Sequence, residues 1–269
     1  RSTLLASSAA SDVYKRQTLD CLDAIGAKWK RNKDAITVTG TDIRKIPAGK
    51  ILPCRESGST LRFFIPICLV SGSNAVLSGS SRLMERPLGI YETICRERGM
   101  IFSRDEGTLM IKGPLKPGNF KLAGNVSSQF ISGLLFALPL LSKDSNLTII
   151  PPIESRSYID MTMAALLTFG VETCWKDENT IYIKGGQKYN ASEAYVEGDY
   201  SNAAFFEALN VFGGEVEIGN LPENSIQGDR VYKKMFSQLK EGTPILDVSD
   251  CPDPVSYTHL RAHETSAHL

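Results

Sequence analysis

Two kinds of helix alternate along the chain. They differ in how they end and in how many of their positions are apolar. The first kind ends at a glycine and is followed by a strand, a turn and a second strand that ends at another glycine. The helix-ending glycines are Gly26, Gly99 and Gly170, which lie roughly seventy residues apart. Glycine is expected just beyond a helix because that position often takes a left-handed backbone. The pattern therefore predicts three copies of a helix–strand–strand motif.

The second kind of helix lies between these motifs and is almost entirely apolar. It begins in the segments SGSTLRFFIPICL, NVSSQFISGLLFALPLL and DYSNAAFFEALNVFGG, and a short strand follows each of them. We interpret Ser59, Ser127 and Ser201 as the opening residues, because a serine hydroxyl accepts a free amide hydrogen bond at a helix start. The repeating unit is then helix, strand, helix, strand, strand, which predicts an α/β or α+β fold. Helices as apolar as residues 130–141 are expected inside, with the sheets outside.

Composition narrows the class of protein. The 269 residues are 42% hydrophobic and 22% charged, which is typical of a globular chain with one large domain or two ordinary ones. Thirty basic residues balance thirty acidic ones, so the overall charge gives no reason to expect nucleic acid or a membrane as a partner. No apolar run reaches the ~20 residues of a membrane span. Because the six cysteines are scattered and form no C-x-x-C pair, we expect a cytoplasmic protein with reduced, mostly buried thiols.

Both ends of the chain look foreign to the repeat. Residues 1–17 show no clear helical or strand period, and residues 255–269 look equally out of place. We interpret both as tails translated from sequencing-adaptor DNA. His259 and His263 have a zinc-binding spacing but lie in the second tail, so we attribute that spacing to an accidental reading frame and predict no metal site. A domain joint is expected near residues 185–196, where the hydrophobic period is lost.

Polar residues recur at equivalent helix starts and strand-to-helix turns of the repeats. They are Gly58, Arg62, Arg82, Arg86, Ser127, Ser128, Gln129, Ser155 and Tyr158. Helix N-termini favour anions, and arginines hold phosphate or carboxylate through paired hydrogen bonds. Each feature alone has a structural explanation, such as a serine cap, a first-turn proline or a packed tyrosine. Their coincidence at equivalent places predicts a site for a substrate with more than one anionic group.

Six segments give this pattern a resemblance to a known family. In chain order they are CRESGSTLR, SRLMERPLG, GNVSSQFISGLLFALPLL, ESRSYIDMT, VEGDYSNAAFF and DVSDCPD. Together they resemble the successive blocks of the 5-enolpyruvylshikimate-3-phosphate synthase family over residues 18–254. The SSQ segment before an apolar helix and the R-x-x-x-R-P motif are specific in combination, although each is weak alone.

The resemblance implies a fold and a reaction. The family folds as two lobes, each an inside-out α/β barrel built from three βαβαββ units, and its substrates bind between the lobes. The implied activity is that of a transferase in aromatic amino-acid biosynthesis. It moves the enolpyruvyl group of phosphoenolpyruvate to the 5-hydroxyl of shikimate 3-phosphate and releases phosphate, without a metal or organic cofactor. We expect these two small molecules as the partners of a monomer.

The resemblance also implies roles for individual residues. Phosphoenolpyruvate is expected to be held by Gly58, Arg62 and Arg82. Shikimate 3-phosphate is expected to be held by Ser127, Ser128, Ser155 and Tyr158, with Gln129 between the two substrates. Asp253 matches the catalytic aspartate that takes the proton of the 5-hydroxyl. A carboxylate can do this if burial between anions raises its pKa toward neutrality.

Parts of the family pattern are missing from the sequence. The Lys-Ser pair with a following arginine near the family's N-terminus is absent, and so is the C-terminal third with its phosphoenolpyruvate ligands. We therefore interpret residues 18–195 as a nearly complete first lobe, residues 196–254 as the start of the second, and the whole as truncated at both ends. Such a fragment is expected to be inactive or nearly so, with an apolar face of the second lobe uncovered.

Three alternatives stay open. The related transferase that acts on UDP-N-acetylglucosamine shares the repeat fold and the donor, but it uses a catalytic cysteine in a mobile loop, and none of the six cysteines lies in such a context. The chain could instead be a non-catalytic fragment that binds shikimate 3-phosphate, or a structural repeat protein without a site. Turnover of the two acceptors by a full-length relative separates the enzymes, and calorimetry separates binding from its absence.

Overall fold

The computed structural model describes residues 2–5, 10–33, 35–211 and 213–240. Contacts divide the chain into two compact units. The first unit contains the residues up to 153 together with residues 162–195, and the second contains residues 154–161 and those from 196 onward. Residues 255–269 lie outside the described residues. The assignment of lobes and tails remains a prediction.

The described residues of the first unit form three four-stranded sheets with one shared pattern of strand directions. In each sheet two neighbouring strands are parallel, and the next two pairings are antiparallel. The sheet nearest the N-terminus is built from β1 (Ser2–Leu5), β2 (Lys28–Asn32), β3 (Ala35–Thr39) and β12 (Glu193–Ala194). Helix α1 (Ala10–Ala24) connects β1 to β2. Residues 10–17, which are predicted above to be part of a tail, continue this helix, while their origin stays a prediction.

The second sheet comes from one continuous βαβαββ segment. Its elements are β4 (Lys50–Arg55), α2 (Gly58–Val70), β5 (Asn74–Gly79), α3 (Ser81–Met84), α4 (Gly89–Glu97), β6 (Ile101–Asp105) and β7 (Thr108–Lys112). Strands β4 and β5 are parallel, and β7 lies between β5 and β6. Alternate residues of β7 point inward, since Leu109 and Ile111 are 0% exposed, as a half-buried strand requires.

The third sheet repeats this order further along the chain. Its elements are β8 (Asn119–Ala123), α5 (Gln129–Ala137), β9 (Ser145–Ile150), α6 (Arg156–Thr168), β10 (Thr173–Trp175) and β11 (Thr180–Ile183). The alternation of helices and strands predicted from the sequence is therefore present in both segments. The three helix-ending glycines take the predicted left-handed backbone, with φ of 97° at Gly26, 68° at Gly99 and 75° at Gly170.

Helices α2 and α5 form the buried centre of the first unit. Leu61 and Ile65 of α2 and Leu134 and Leu135 of α5 are at most 1% exposed. Burial on all sides explains why both helices are apolar around their circumference. The prediction that these helices lie in the interior is therefore confirmed.

The second unit has a smaller core of its own. Its described helices are α7 (Tyr200–Val211), α8 (Tyr232–Lys240) and a 3-10 turn at Gly228–Val231. Tyr200, Tyr232 and Phe236 pack together with two alanines of α7. On the opposite face of α7, Phe205 and Phe206 are each 48% exposed.

Four of the five described cysteines are buried, and none is in a disulfide. The Cys21 and Cys54 sulfurs lie 4.0 Å apart. Burial raises the pKa of Cys68 to about 12 and that of Cys95 to about 11. The prediction of mostly buried thiols is confirmed for these residues, while Cys251 lies outside the described part of the chain.

Thiol labelling of the folded chain is expected to distinguish Cys174 from the buried cysteines. Cys174 is exposed, so Cys174→Ser should remove one fast-reacting equivalent from a titration with an aromatic disulfide reagent. Cys68→Ser and Cys95→Ser should remove none, because a buried, protonated thiol is not the nucleophile. Loss of a fast equivalent in either control would contradict the burial of these side chains.

Candidate functional site

Helix α2 begins at a side-chain cap. The Ser57 hydroxyl oxygen accepts a hydrogen bond from the Thr60 backbone N–H at 3.2 Å and another from the Thr60 hydroxyl at 2.8 Å. The predicted opening residue, Ser59, therefore lies inside the first turn, and the cap is Ser57. This cap fixes the turn that starts with Gly58 and leads to Arg62.

The other two apolar helices begin differently from the serine prediction. Before α5 the Ser128 backbone is already helical and its side chain forms no capping bond with the described residues. The Ser127 hydroxyl oxygen instead accepts a long hydrogen bond, 3.4 Å, from the Gln129 N–H. At α7 the cap is Asp199, whose carboxylate accepts the N–H of Ser201 at 2.9 Å. The prediction was wrong at α7 because aspartate caps a helix as well as serine does.

Arg62 joins the predicted site residues of two repeats. Its Nη1 donates to Gln129 Oε1 at 2.8 Å and to Ser127 Oγ at 3.4 Å. These partners are neutral, so they do not compensate the positive charge of the guanidinium beside the start of α5. Three predicted site residues, which come from two separate segments of the sequence, therefore meet in the first unit.

Close packing of α2 on α5 brings these side chains together. Gly133 of α5 lies against the Arg62 backbone, and a Cβ at Gly133 would come within 2.7 Å of the Arg62 carbonyl oxygen. Such a Cβ would also overlap the buried Tyr91 hydroxyl, which donates to the Phe130 carbonyl at 3.0 Å. Since Gln129 lies one helical turn before Gly133, this approach sets the position of its side chain relative to Arg62.

The surroundings of Arg62 disfavour its charge when no anion is bound. Burial lowers the pKa of Arg62, and the positive charge of the nearby Arg86 lowers it further. Within the described residues the Arg62 Nε is buried without a hydrogen-bond partner. The Phe130 ring, 4.8 Å from Arg62 Cζ, compensates in part through its negative face.

Arg86 is a site neighbour that the role assignment from the sequence missed. A Cβ placed on Gly58 would overlap Arg86 Nη1 and would lie 3.5 Å from Arg86 Cζ. The guanidinium therefore lies directly over the first residue of α2. The R-x-x-x-R-P motif contained the signal, but only Arg82 was given a role.

The remaining predicted residues are distributed over the structure. Arg82 is exposed on α3. Ser155 and Tyr158 belong to the second unit, where Ser155 has a left-handed φ of 57°. Tyr158 donates its hydroxyl proton to Asp229 Oδ2 at 2.7 Å. The predicted catalytic residue, Asp253, lies outside the described residues.

A buried polar network holds the segment around Asp229. Gln227 donates through Nε2 to Glu197 Oε1 and to the Gly198 carbonyl, both at 2.8 Å. Its Oε1 accepts the N–H of Tyr200 at 2.9 Å, which satisfies a donor at the start of α7. Sequence reasoning missed Asp229 because its partner, Tyr158, lies in a distant segment of the chain.

One cavity of the first unit contains none of the predicted site residues. It measures about 790 Å³, and its lining combines Leu22 of α1, Phe64 of α2 and Phe136 of α5 with residues 40–44 and 188–191. Its position along α2 and α5 is beyond the turns that carry Arg62 and Gln129. This cavity therefore does not coincide with the arginine site.

The described residues contain neither a membrane-spanning helix nor a cluster of metal-binding side chains. No helix there is long and apolar enough to cross a membrane. No group of three or more histidine, cysteine, aspartate or glutamate side chains there could hold a metal ion. His259 and His263 lie outside this part of the chain.

Comparisons with known proteins agree on one family. Residues 9–253 match the family model described as EPSP synthase (3-phosphoshikimate 1-carboxyvinyltransferase). A 3-phosphoshikimate 1-carboxyvinyltransferase of Clostridium perfringens is 39% identical over 256 residues, which cover 88% of this chain and 60% of the relative. The Brachyspira hyodysenteriae protein of the same name is 44% identical over 180 residues, covering 67% of this chain and 43% of the relative.

A solved structure shows the same fold. The EPSP synthase of Acinetobacter baumannii superposes with a TM-score of 0.63 over 77% of this chain and 46% of that protein, at 22% sequence identity. The chain thus has a mixed α/β fold that corresponds to about half of that structure. It spans about 60% of the length of the Clostridium perfringens relative. Because the family model matches most of its residues, this chain belongs to the EPSP synthase family.

Proposed function

We propose that this chain is part of an enzyme that transfers the enolpyruvyl group of phosphoenolpyruvate to the 5-hydroxyl of shikimate 3-phosphate and releases phosphate. Membership of the family and the name shared by its relatives support this proposal. The structural observation that carries it is the meeting of Arg62, Ser127 and Gln129. A cation between hydroxyl and amide groups suits a pair of phosphorylated substrates.

The reaction needs charge stabilisation and a proton acceptor. The 5-hydroxyl oxygen bonds to C2 of phosphoenolpyruvate while C3 gains a proton, which gives a tetrahedral adduct. The adduct then loses a C3 proton, and its C2–O bond to phosphate breaks. Arginines beside the phosphate and carboxylate favour both steps. In this proposal Arg62, Arg82 and Gly58 hold phosphoenolpyruvate, and Asp253 takes the proton of the hydroxyl.

We assign the binding of the acceptor substrate, shikimate 3-phosphate, to serine side chains and to Tyr158. Shikimate 3-phosphate is proposed to be held by Ser127, Ser128, Ser155 and Tyr158, with Gln129 between the two substrates. Support comes from the neighbouring positions of Ser127 and Gln129 beside Arg62. We further propose that the complete protein is a cytoplasmic monomer with two inside-out barrels, whose repeated units correspond to the βαβαββ segments described above.

Calorimetry with shikimate 3-phosphate tests the acceptor assignment. Ser127→Ala and Ser128→Ala are each expected to weaken binding about tenfold, because a hydrogen bond to a charged group contributes about 1.5–3 kcal/mol. Ser103→Ala, an exposed position on β6, serves as the matched control and should bind normally. Equal affinity of all three variants would rule out these serines as ligands.

Phosphate release tests the transfer itself. The full-length Clostridium perfringens relative is expected to release phosphate when both substrates are present and not with either alone. The present chain is expected to release little, as predicted from the missing family segments. Substantial phosphate release by this chain would overturn the expectation of low activity, and it would also support the proposed transfer. Absence of release by the relative would contradict the proposed reaction.

A further inference from the structure

Arg55 occupies a backbone position at which glycine is the usual residue. It ends β4 with a positive φ of 49°, and the register of β4 against β5 shifts between Pro53 and Arg55. The Ser57 N–H donates to the Cys54 carbonyl at 2.9 Å, which closes a tight turn with Arg55 at its first central position. A positive φ there favours glycine, because a side chain is crowded by the backbone. The sequence therefore places a strained arginine just before α2.

The Arg55 carbonyl joins two helix starts that carry predicted site residues. Its oxygen accepts the backbone N–H of Ser80 at 2.9 Å. Ser80 in turn caps α3, because its hydroxyl oxygen accepts the Leu83 N–H at 3.1 Å, and Arg82 lies on α3. In the other direction, the turn leads directly into the cap of α2 and so to Arg62. A change in the Arg55 backbone would therefore shift the two helix starts relative to each other.

An ion pair with helix α1 holds the Arg55 side chain. Arg55 Nη2 donates to Asp20 Oδ2 at 2.5 Å. Helix α1 is itself fixed beside the first turn of α2, since the Thr18 and Thr60 hydroxyl oxygens lie 2.9 Å apart. The direction of a side chain follows from the backbone angles of its residue. The bond to Asp20 therefore favours the backbone conformation that gives Arg55 its positive φ.

We propose that Arg55 and Asp20 are positioning residues for the anion-binding starts of α2 and α3. The ion pair holds Arg55 in a strained backbone conformation, and the Arg55 carbonyl then fixes the spacing of the two helix starts. Without the pair the turn relaxes, so an anion that bridges the two starts must restore the turn on binding and is held more weakly. The identity of this anion as phosphoenolpyruvate rests on the proposed function.

Calorimetry with phosphoenolpyruvate tests the role of the ion pair. Asp20→Asn is expected to weaken binding about threefold to fivefold, which corresponds to the loss of a partly exposed ion pair. Arg55→Ala should weaken binding about tenfold, because it also leaves a side chain at a positive φ without its tether. Asp23→Asn is the matched control, since Asp23 is an exposed aspartate of the same helix and asparagine can still accept the hydrogen bond from Trp29.

Arg55→Gly separates positioning from a direct electrostatic effect of the pair. Glycine takes a positive φ without a tether, so this variant should bind phosphoenolpyruvate within about twofold of wild type although the ion pair is lost. Asp20→Asn should then have no further effect in the Arg55→Gly background. An equal loss from Asp20→Asn in both backgrounds would overturn the inference. Normal binding by Arg55→Ala would also overturn it, as would an Arg55→Gly protein that binds as weakly as Arg55→Ala.

Titration with inorganic phosphate distinguishes this inference from the proposed function. If the chain binds phosphoenolpyruvate and shikimate 3-phosphate but all variants bind alike, the inference fails while the proposed function stands. If the chain binds phosphate with the expected order of variants but neither substrate, the inference stands for a phosphoryl anion while the proposed function fails. A wild-type chain that binds none of these ligands overturns the inference. Urea unfolding midpoints close to wild type will show that the variants compared are folded.

Discussion

Replacing Arg62 by methionine is expected to weaken phosphoenolpyruvate binding at least about a hundredfold without destabilising the fold. The side chain supplies a charge beside Ser127 and Gln129, and a hydrogen bond to a charged group contributes about 1.5–3 kcal/mol before the lost charge attraction is counted. Methionine keeps the apolar stem that packs beside the Phe130 ring. Calorimetry of the variant with phosphoenolpyruvate measures the loss.

The stability of the same variant gives an independent result. Burial and the nearby positive charge of Arg86 lower the pKa of Arg62, so the charge opposes folding at every pH below that pKa. Methionine removes a half-buried charge whose transfer from water is unfavourable. We therefore expect an unfolding midpoint in urea that is unchanged or higher.

Arg96→Met provides the control for both measurements, because Arg96 is exposed on α4. It should change neither binding nor stability by more than the error of the method. Normal phosphoenolpyruvate binding by Arg62→Met would contradict the assignment of the site to this end of α2. A large loss of stability would contradict the account of its environment.

The sequence was informative wherever a local rule sets the structure. Glycine after a helix predicts a left-handed residue, and Gly26, Gly99 and Gly170 all take that conformation. The long apolar run of residues 130–141 predicted a buried helix, because only an interior position favours apolar residues on every side. Repetition strengthened both predictions, since one rule was applied at equivalent places.

The sequence was less informative where an interaction depends on distant segments. The cap of α2 is Ser57 instead of Ser59, because capping depends on backbone angles as well as on residue type. The contact of Arg86 with Gly58 depends on how far a long side chain reaches across the start of another helix. The hydrogen bond between Tyr158 and Asp229 joins residues that only the folded backbone brings together.

Gly133 illustrates a residue whose importance is visible only in the packed structure. It stands in the apolar α5 sequence, where glycine weakens an isolated helix by roughly 1 kcal/mol. Its neighbours are a backbone carbonyl of α2 and the hydroxyl of Tyr91. The low helix propensity of glycine is therefore offset because its lack of a side chain lets α5 approach α2 closely. These two helices carry the arginine and the glutamine of the site.

Gly133→Ala is accordingly expected to destabilise the protein by about 3 kcal/mol, although alanine is the better helix former. The added Cβ would lie 2.7 Å from the Arg62 carbonyl oxygen, which is backbone and cannot rotate away. It would also displace the Tyr91 hydroxyl from its hydrogen bond to the Phe130 carbonyl, and a buried acceptor without a donor costs about 1–3 kcal/mol. Urea unfolding monitored by circular dichroism gives the change in free energy.

Gly89→Ala is the matched control, because Gly89 is also helical and, among the described residues, no atom outside its own helix lies within 4 Å of the Cβ position. This variant should be neutral or up to about 1 kcal/mol more stable, since alanine restricts the unfolded chain.

Adding Tyr91→Phe to Gly133→Ala should recover part of the loss by removing one of the two clashes. Because the α2 backbone causes the other clash, a residual loss of stability should remain, and with it a weaker affinity for phosphoenolpyruvate. A stable Gly133→Ala protein with normal affinity would show that the helices can separate without moving Arg62 from Gln129.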